Sequence, residues 1–363
     1  MNEIRHFDAL IVYTETLASS AFGVESKNHT PFVFGSRNES YNTVYGYFLK
    51  TCRKHGLNVA FTTSADIIGP GYCRSYWNFR NNKWERHSSP CFSKLIFDKF
   101  SPTRGRIRSR RDLLFSSEEI KSFNDPELFG IFFDKQKTYD TLSEHSIPTI
   151  SLDSKTLQGV NEACKTLAQL MGSHPGLNDF SEDIVMKDRF GAGGRHIYKF
   201  KTGQAEKMLK VLQKNSRISF VIQPFAKFDQ GFSYRNCPAS TDIRLIYLDG
   251  KIAQSYIRMA KTGDFRCNEH QGGSLTYLTL EELPKNLLVK SNLISEMLNK
   301  KDSLFALDFI ISNSGNSYLL EGNTGPGLDW NMSLRKNELE AKKLIRMVVK
   351  ELTTRSESQF VIN

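Results

Sequence analysis

No stretch of this 363-residue sequence approaches the ~18 consecutive apolar residues that a membrane-spanning helix needs. The longest apolar runs are interrupted by charge, as Asp308 interrupts Leu304 to Ile311. A secretory signal is not expected, because Glu15 ends the N-terminal apolar segment after roughly seven residues. Cysteines are sparse and scattered, at Cys52, Cys73, Cys91, Cys164, Cys237 and Cys267, with no C-x-x-C pair. The expectation is six reduced thiols in a cytoplasmic protein. The histidines show no H-x-x-x-H spacing, which argues against zinc and leaves oxygen ligation for any metal. Standard nucleotide signatures are also missing. There is no G-x-x-x-x-G-K-[ST], and His196 occupies the third glycine position of a G-x-G-x-x-G. Gly263-Asp264-Phe265 has the wrong order for a kinase D-F-G, and no H-R-D occurs.

What is present in excess is positive charge: 49 Lys and Arg against 39 Asp and Glu, a net +10. That balance calls for an anionic partner without saying which. The length fits two or three domains. Asp8 to Tyr13 reads as a strand; Val44, Phe48 and Cys52 mark a helix capped by Gly56; Leu57 to Phe61 closes a βαβ unit. Gly69 to Pro90 reads as loop, Lys94 to Phe100 as strand and Ser117 to Phe123 as helix. Downstream, residues 154–171 and Ala205 to Lys214 read as helices, and Asp183 to Lys187 and Ser219 to Phe225 as strands. Asp249-Gly250 turns a hairpin between Asp242–Leu248 and Lys251–Arg258. Thr279 and Glu282 form a capping box that opens a helix to about Asn299. Phe305–Ile311 and Ser317–Asn323 are strands, and residues 334–352 form a closing helix with Leu344, Ile345, Val348, Val349 and Leu352 inward. The fold class is α/β giving way to α+β.

Three groups of residues could carry chemistry. Lys187 stands at a strand end before Gly191, Gly193, Gly194 and Arg195. Glycines let successive N–H groups converge on phosphate oxygens, with the lysine adding a point charge; a plain tight turn fits the same residues. Second, if the turn at Ser314-Gly315 is symmetric, Asp308 lies opposite Glu321, and Asn323 projects on the same face. Two carboxylates about 5 Å apart repel by roughly 3 kcal/mol at an effective dielectric near ~20. A solvated or lysine-paired face would relieve that, and so would Mg²⁺, which takes a few protein oxygens and fills its octahedron with water and phosphate. Third, Arg244 and Arg258 flank the Asp249-Gly250 turn unequally, so direct pairing between them is not expected. Their guanidinium forks suit phosphate or carboxylate; solvated surface arginines are the plainer alternative.

In order along the chain, these pieces resemble the ATP-grasp ligases. The series runs through Lys135 in F-F-D-K-Q-K-T-Y, Lys187 before F-G-A-G-G-R, I-Q-P-F at 222–225, D-I-R at 242–244, R-M-A-K-T-G-D-F-R-C-N with Gly272-Gly273, then Asp308 and E-G-N-T-G-P-G. It is most similar to the branch of glutathione synthetases and ribosomal-protein glutamate ligases, over roughly residues 128–350, and F-N-D-P-E-L with F-F-D-K-Q-K-T-Y-D-T-L also resembles spore-coat-associated ATP-grasp proteins. The resemblance implies a Rossmann-like substrate domain over 1–125, a central lobe over 126–225, a C-terminal lobe with the metal site over 226–352 and a tail from 353 to 363, with ATP held between the two lobes. It implies that Lys135, Lys187, Gly191, Gly193 and Gly194 hold the ATP phosphates, and that Gln223, Pro224, Phe225 and Ala226 hold adenine. Asp308, Glu321 and Asn323 would bind two Mg²⁺ ions, or Mn²⁺, while Arg244 and Arg258 steady the transferred phosphate and the substrate carboxylate. The implied activity joins a small-molecule or peptide carboxylate to an amine through an acyl phosphate, releasing ADP and phosphate. A homo-oligomer is implied, and no membrane partner.

Two other readings compete. The ATP fold could serve binding or assembly without ligation. The run from Arg104 to Arg111, if extended, lines one face with Arg104, Arg106, Arg108 and Arg110. A solvated basic loop accounts for it most simply, and an acidic-substrate site next. Nucleic acid is disfavoured because the run lacks aromatic residues for base stacking.

Overall fold

Two strands open the chain, β1 (Arg5–His6) and β2 (Ala9–Tyr13), and β2 is buried along its whole length. Its A-L-I-V-Y sequence is the unbroken apolar run of a parallel strand covered on both faces. The computed structural model describes residues 3–23, 29–100, 106–235, 239–328 and 334–360, so Arg104 and Cys237 lie outside the described residues. The chain groups into two units. One comprises the residues up to Pro126, Asp302–Leu304 and the stretch from Gly325 onward; the other comprises Glu127–Lys301 and Phe305–Thr324. Among the described residues, no helix is long and apolar enough to cross a membrane.

In the first unit, α1 (Tyr41–Lys54) buries Val44, Phe48 and Cys52 as expected. It stops at Gly56, whose φ of +77° admits a residue without Cβ. Leu57 N–H donates to the Cys52 carbonyl and Gly56 N–H to the Arg53 carbonyl, which is a Schellman cap. β3 (Val59–Thr63) then pairs parallel to β2, completing the βαβ unit.

The segment expected to be loop from Gly69 to Pro90 is mostly strand: β4 (Ile67–Gly69), β5 (Tyr72–Cys73), β6 (Tyr76–Arg80) and β7 (Lys83–His87). The β6–β7 hairpin turns on Asn81-Asn82, both at positive φ, the conformation of a two-residue hairpin turn. Phe79 sits opposite Trp84, and this aromatic pair holds the register despite the polar residues around it. β8 (Cys91–Phe92) and β9 (Leu95–Lys99) follow. Cys73 and Cys91, distant in sequence, face one another across β5 and β8 as buried thiols.

The arginine run is not extended. Arg106–Leu114 is helix α2, in which Arg110 pairs with Glu15 and the buried Arg111 with Asp98, while Arg106 and Arg108 are exposed. A helix divides the arginines between faces, so the single basic edge of the extended reading does not form. The helix expected over Ser117–Phe123 is also replaced, by β10 (Lys121–Ser122) added parallel to β9. One sheet runs in the order β10-β9-β2-β3-β6-β7 and a smaller one β1-β8-β5-β4.

The second unit begins with α3 (Pro126–Phe132), α4 (Lys135–Thr141), β11 (Ile150–Leu152) and α5 (Leu157–Gly172). β12 (Phe180–Asp188), β13 (Ile197–Lys201), α6 (Ala205–Lys214) and β14 (Phe220–Ala226) complete an antiparallel sheet ordered β11-β14-β12-β13. Ile184, Met186, Phe220 and Ile222 pack with Val160, Leu167, Met208 and Leu212 of α5 and α6. By strand alternation, Val185, Lys187, Val221, Gln223 and Phe225 face the other way.

A second antiparallel sheet, ordered β17-β16-β15-β18-β19, uses β15 (Thr241–Leu248), β16 (Lys251–Met259), β17 (Ser274–Tyr277), β18 (Phe305–Ile311) and β19 (Ser317–Asn323). Ile243, Leu245, Leu307 and Phe309 pack against Leu287 and Ile294 of α7 (Lys285–Leu298). Both bonds of the Thr279–Glu282 capping box form, but they close a single 3₁₀ turn, and α7 starts only at Lys285. Pro284 explains the break, because the residue before a proline is pushed out of helical geometry and Leu283 is extended.

The chain ends in α8 (Arg335–Phe360), which buries Leu344, Ile345, Val348, Val349 and Leu352. It packs against α1 within the first unit rather than grouping with residues 226–324, and it continues through most of the stretch expected to be a tail.

Candidate functional site

The face of the first sheet that carries Lys187 and Gln223 looks onto the face of the second that carries Asp242 and Arg258, and these residues line one cleft. One part of it is walled by Val185, Gln223–Ala226, Phe265, Ile310 and Leu320. The adjoining part is lined by Lys135, Lys187, Gly191–Arg195, Asn268, Arg258 and Glu321. Lys187, Ile197, Asp242, Asn268 and Leu320 belong to both.

The second sheet supplies a cross-strand row. Tyr256 faces Arg244, Arg244 faces Asp308, and Asp308 faces Glu321. The expected Asp308–Glu321 pairing therefore forms, although the hairpin is not symmetric throughout. Ile311 pairs with Ser317 and Phe309 with Leu319, then an irregularity shifts the register so that Asp308 meets Glu321 and Ala306 meets Asn323. The extra residue is Leu320, and such a bulge re-aims the side chains beyond it. Arg244 and Arg258 do not pair, also as expected; Arg258 stands opposite Asp242.

The row is tied by charge. Arg244 donates Nε to Asp308 Oδ1 at 2.6 Å and Nη2 to Oδ2 at 2.5 Å. Arg258 forks onto Asp242 at 2.7 and 2.9 Å and also reaches Asp308 Oδ2 at 2.9 Å. Burial works against ionising Asp308, but the two guanidinium groups outweigh it and hold its carboxyl down, to about 2. Burial wins at Asp242, which is pushed up although Arg258 opposes the shift. Arg244 and Asp308 lie beneath the cleft lining, whereas Arg258 and Glu321 reach it. Arg244 Nη2 is 3.9 Å from Glu321.

The opposite wall is basic. Burial, with Lys135 nearby, lowers the Lys187 ammonium to about 8, while Glu321 pulls the other way. Lys135, the first residue of α4, donates Nζ to the Gly191 carbonyl at 2.5 Å. Asp134 caps α4 by accepting from Gln136 and Lys137 N–H, and Arg189 at the root of the glycine loop forks onto it at 2.7 Å. Gly193 and Gly194 have φ of +70° and +73°, and a Cβ at Gly194 would lie 2.7 Å from Asn268 Oδ1.

Beside the glycine loop, β14 carries Gln223–Ala226. Its pairing with β12 steps from Ile184–Pro224 to Phe180–Ala226, so Phe225 lies in an irregular stretch of the ladder. Proline has no N–H to give the ladder, which favours the break there. Gln223 is buried, donates Nε2 to Thr149 Oγ1 at 2.8 Å, and leaves its Oε1 without a partner among the described residues.

All the candidate residues thus lie in this cleft or directly behind it, except that Asn323, two pairs beyond Asp308 and Glu321, is absent from the lining. Its Nδ2 is buried and unpartnered among the described residues. Sequence reasoning gave no role to Asp134, Thr149, Asp242 or Asn268. Asp134 had a local signal, an N-capping residue immediately before Lys135.

For a metal, Asp308, Glu321 and Asn323 offer oxygen donors, the set that suits Mg²⁺. A carboxylate has about four acceptor positions, and the three arginine bonds to Asp308 leave one on Oδ1. The buried Asn323 amide has an unmet group that, turned over, becomes an unmet acceptor. Among the described residues no three His, Cys, Asp or Glu are grouped to hold a metal alone. The donor set fits an ion completed by substrate phosphates.

Two sheets facing one another across such a cleft define the ATP-grasp fold, and solved structures bear this out. D-alanyl-alanine synthetase A from Vibrio cholerae O1 biovar eltor superposes with a TM-score of 0.57 at 16% identity, covering 96% of this chain and 98% of that one. The ATP-grasp ligase PsnB, complexed with a phosphomimetic variant of minimal precursor, Mg and ADP, superposes with a TM-score of 0.52 at 9% identity, covering 94% and 99%. The chain belongs to a particular branch: residues 133–348 match the RimK-like ATP-grasp domain, and the protein is a member of that family. A probable alpha-L-glutamate ligase from Shewanella pealeana is 26% identical over 314 residues, which are 78% of this chain; the chain spans 61% of that relative's length.

Proposed function

We propose that this protein is an ATP- and Mg²⁺-dependent carboxylate–amine ligase that forms an amide bond through an acyl phosphate and releases ADP and phosphate. The observation that carries the reading is the convergence of Lys135, Lys187, the glycine loop and Arg258 on one cleft wall-to-wall with Glu321. That arrangement suits neutralising and positioning a triphosphate and, among the described residues, brings in no activated side-chain nucleophile, which fits attack by a substrate carboxylate.

In this reading the apolar part of the cleft takes adenine, with the Phe225–Ala226 backbone and Gln223 along its edge. Lys135 and Lys187 bind phosphate oxygens, and the backbone of Gly191–Gly194 closes over them. Arg258, anchored by Asp242, keeps a guanidinium at the transferred phosphate; Arg244 holds Asp308 in place behind it. Asp308, Glu321 and Asn323 would hold Mg²⁺, which would offset the negative charge of the phosphates. The substrate class is an amino-acid or peptide carboxylate with an amine, a reading supported by the glutamate ligase relative and by the precursor-bound PsnB.

The test is ADP and phosphate release from ATP·Mg²⁺ across a panel of carboxylates, including glutamate and glutamate-ended peptides, each with an amine. Glu321→Ala should abolish turnover while leaving the circular dichroism spectrum and ATP binding in place. Tight ATP·Mg²⁺ binding without phosphate release on any pair would overturn ligation in favour of a binding role.

A further inference from the structure

The unmet oxygen of Gln223 leads one step further, resting on the ATP reading above. Thr149 Oγ1 donates to the Ile147 carbonyl at 2.8 Å. A hydroxyl has one proton, so with that proton committed the Thr149 oxygen can only accept. The Gln223 amide nitrogen lies 2.8 Å away and is the donor. Which end of the amide faces Thr149 is therefore settled by the hydrogen-bond chain itself. Both residues are almost fully enclosed, Thr149 at 1% exposure and Gln223 at 4%. The other end of the amide, Oε1, is buried without a partner among the described residues. Ile147, Val185 and Ile310 line the same part of the cleft and carry no side-chain donor, and the donors that also line it, Lys187, Arg266 and Asn268, do not bond to this oxygen. Buried polar groups are ordinarily satisfied, so an unmet acceptor here points to a donor carried by the ligand.

We infer that Thr149 is a positioning residue that sets the purine choice of the cleft. By accepting from Nε2, it holds Gln223 with an acceptor toward the base. A 6-amino purine brings an N–H to that oxygen, whereas a 6-oxo purine brings a second acceptor against it. Glutamine is symmetric enough in shape to present either group. The selectivity then lies in Thr149, which touches no part of the base.

Thr149→Val keeps the side chain's volume and removes the acceptor, leaving the amide free to turn. Binding of ATP and of inosine triphosphate, each with Mg²⁺, is measured by calorimetry on wild type, Thr149→Val and Thr149→Ser. Wild type should prefer ATP by about tenfold or more. Thr149→Val should reduce that preference several-fold, and Thr149→Ser, which keeps the hydroxyl, should restore it. Because the readout is a ratio on one preparation, partial loss of folded protein does not alter it. A Thr149→Val ratio equal to wild type, or a wild type indifferent to the two nucleotides, overturns the inference while leaving ATP binding intact. A wild type that binds neither nucleotide overturns the ATP reading and this inference with it.

Discussion

Arg244 and Asp308 meet as a two-point fork, Nε on Oδ1 and Nη2 on Oδ2, with the Asp308 side chain wholly buried. Arg258, forked onto Asp242, also reaches the same carboxylate, so this buried anion touches two guanidinium groups that cannot lose their charge. Removing one partner of a buried charge pair costs about 3–5 kcal/mol, because the other is left uncompensated. Asp308→Asn should therefore lower stability by several kcal/mol in urea unfolding. Glu321→Gln, at a side chain 23% exposed and 3.9 Å from Arg244, should cost under about 1 kcal/mol. Equal losses for the two would show that the row is not held through Asp308.

Lys187 gives a pH-dependent counterpart. Its ammonium is lowered to about 8, below the ~10.4 of an unfolded lysine, so charging it in the folded protein is unfavourable. The folded state binds fewer protons than the unfolded one between those values, and stability rises with pH across that window. Below pH 8 the penalty is fully present, about 3 kcal/mol by linkage. Lys187→Met should stabilise the ligand-free protein at pH 7, and the gain should disappear toward pH 10–11 in chemical denaturation.

The same lysine should report on ATP. A triphosphate beside it favours the charged form, so binding at pH 8 should take up a fraction of a proton. Calorimetry in buffers of different ionisation enthalpy measures this directly. Uptake should vanish in Lys187→Met, and its persistence there would assign the titration to another group.

What could be read from the sequence followed how local each signal was. The Schellman cap at Gly56 and the facing of Asp308 with Glu321 were legible because partner and signal sit in one turn or one hairpin. The one-residue bulge at Leu320 was not, since an alternating pattern does not show where register slips. The β6–β7 hairpin was hidden by Asn81-Asn82, which reads as loop until its positive φ values are seen. Alternating arginines imitated a strand where tertiary partners, Glu15 and Asp98, select helix α2. Thr149, and the anchor that Asp134 gives Arg189, were invisible for a different reason. Their partners, Gln223 and Arg189, are 74 and 55 residues away, and nothing local in the chain announces such a meeting.

Gly194 and Gly203 separate backbone strain from site geometry. Both have positive φ, +73° and +85°, so alanine at either costs about 1–2 kcal/mol. A Cβ at Gly203 meets open space, whereas one at Gly194 falls 2.7 Å from Asn268 Oδ1. Gly194→Ala should weaken ATP binding at least several-fold, and Gly203→Ala should leave it unchanged at a similar loss of stability. Matching affinities would remove the Gly194–Asn268 contact from the binding geometry.

Asp134 performs two tasks with one carboxylate, capping α4 at Gln136 and Lys137 N–H and anchoring Arg189 below the glycine loop. Burial opposes its ionised form, but Arg189 and the two cap bonds outweigh that and lower its carboxyl below the usual range. Asp134→Asn keeps a capping oxygen, so the helix should lose only a few tenths of a kcal/mol, while the charged fork to Arg189 is lost. Asp134→Ala removes both and should cost about 1 kcal/mol more. Amide exchange over residues 189–195 reads the anchor, and exchange over 135–141 reads the cap. Asn should speed exchange in the loop alone, and Ala in both segments. Loop exchange unchanged by either variant would mean that Lys135, through its bond to the Gly191 carbonyl, holds the loop without help from Arg189.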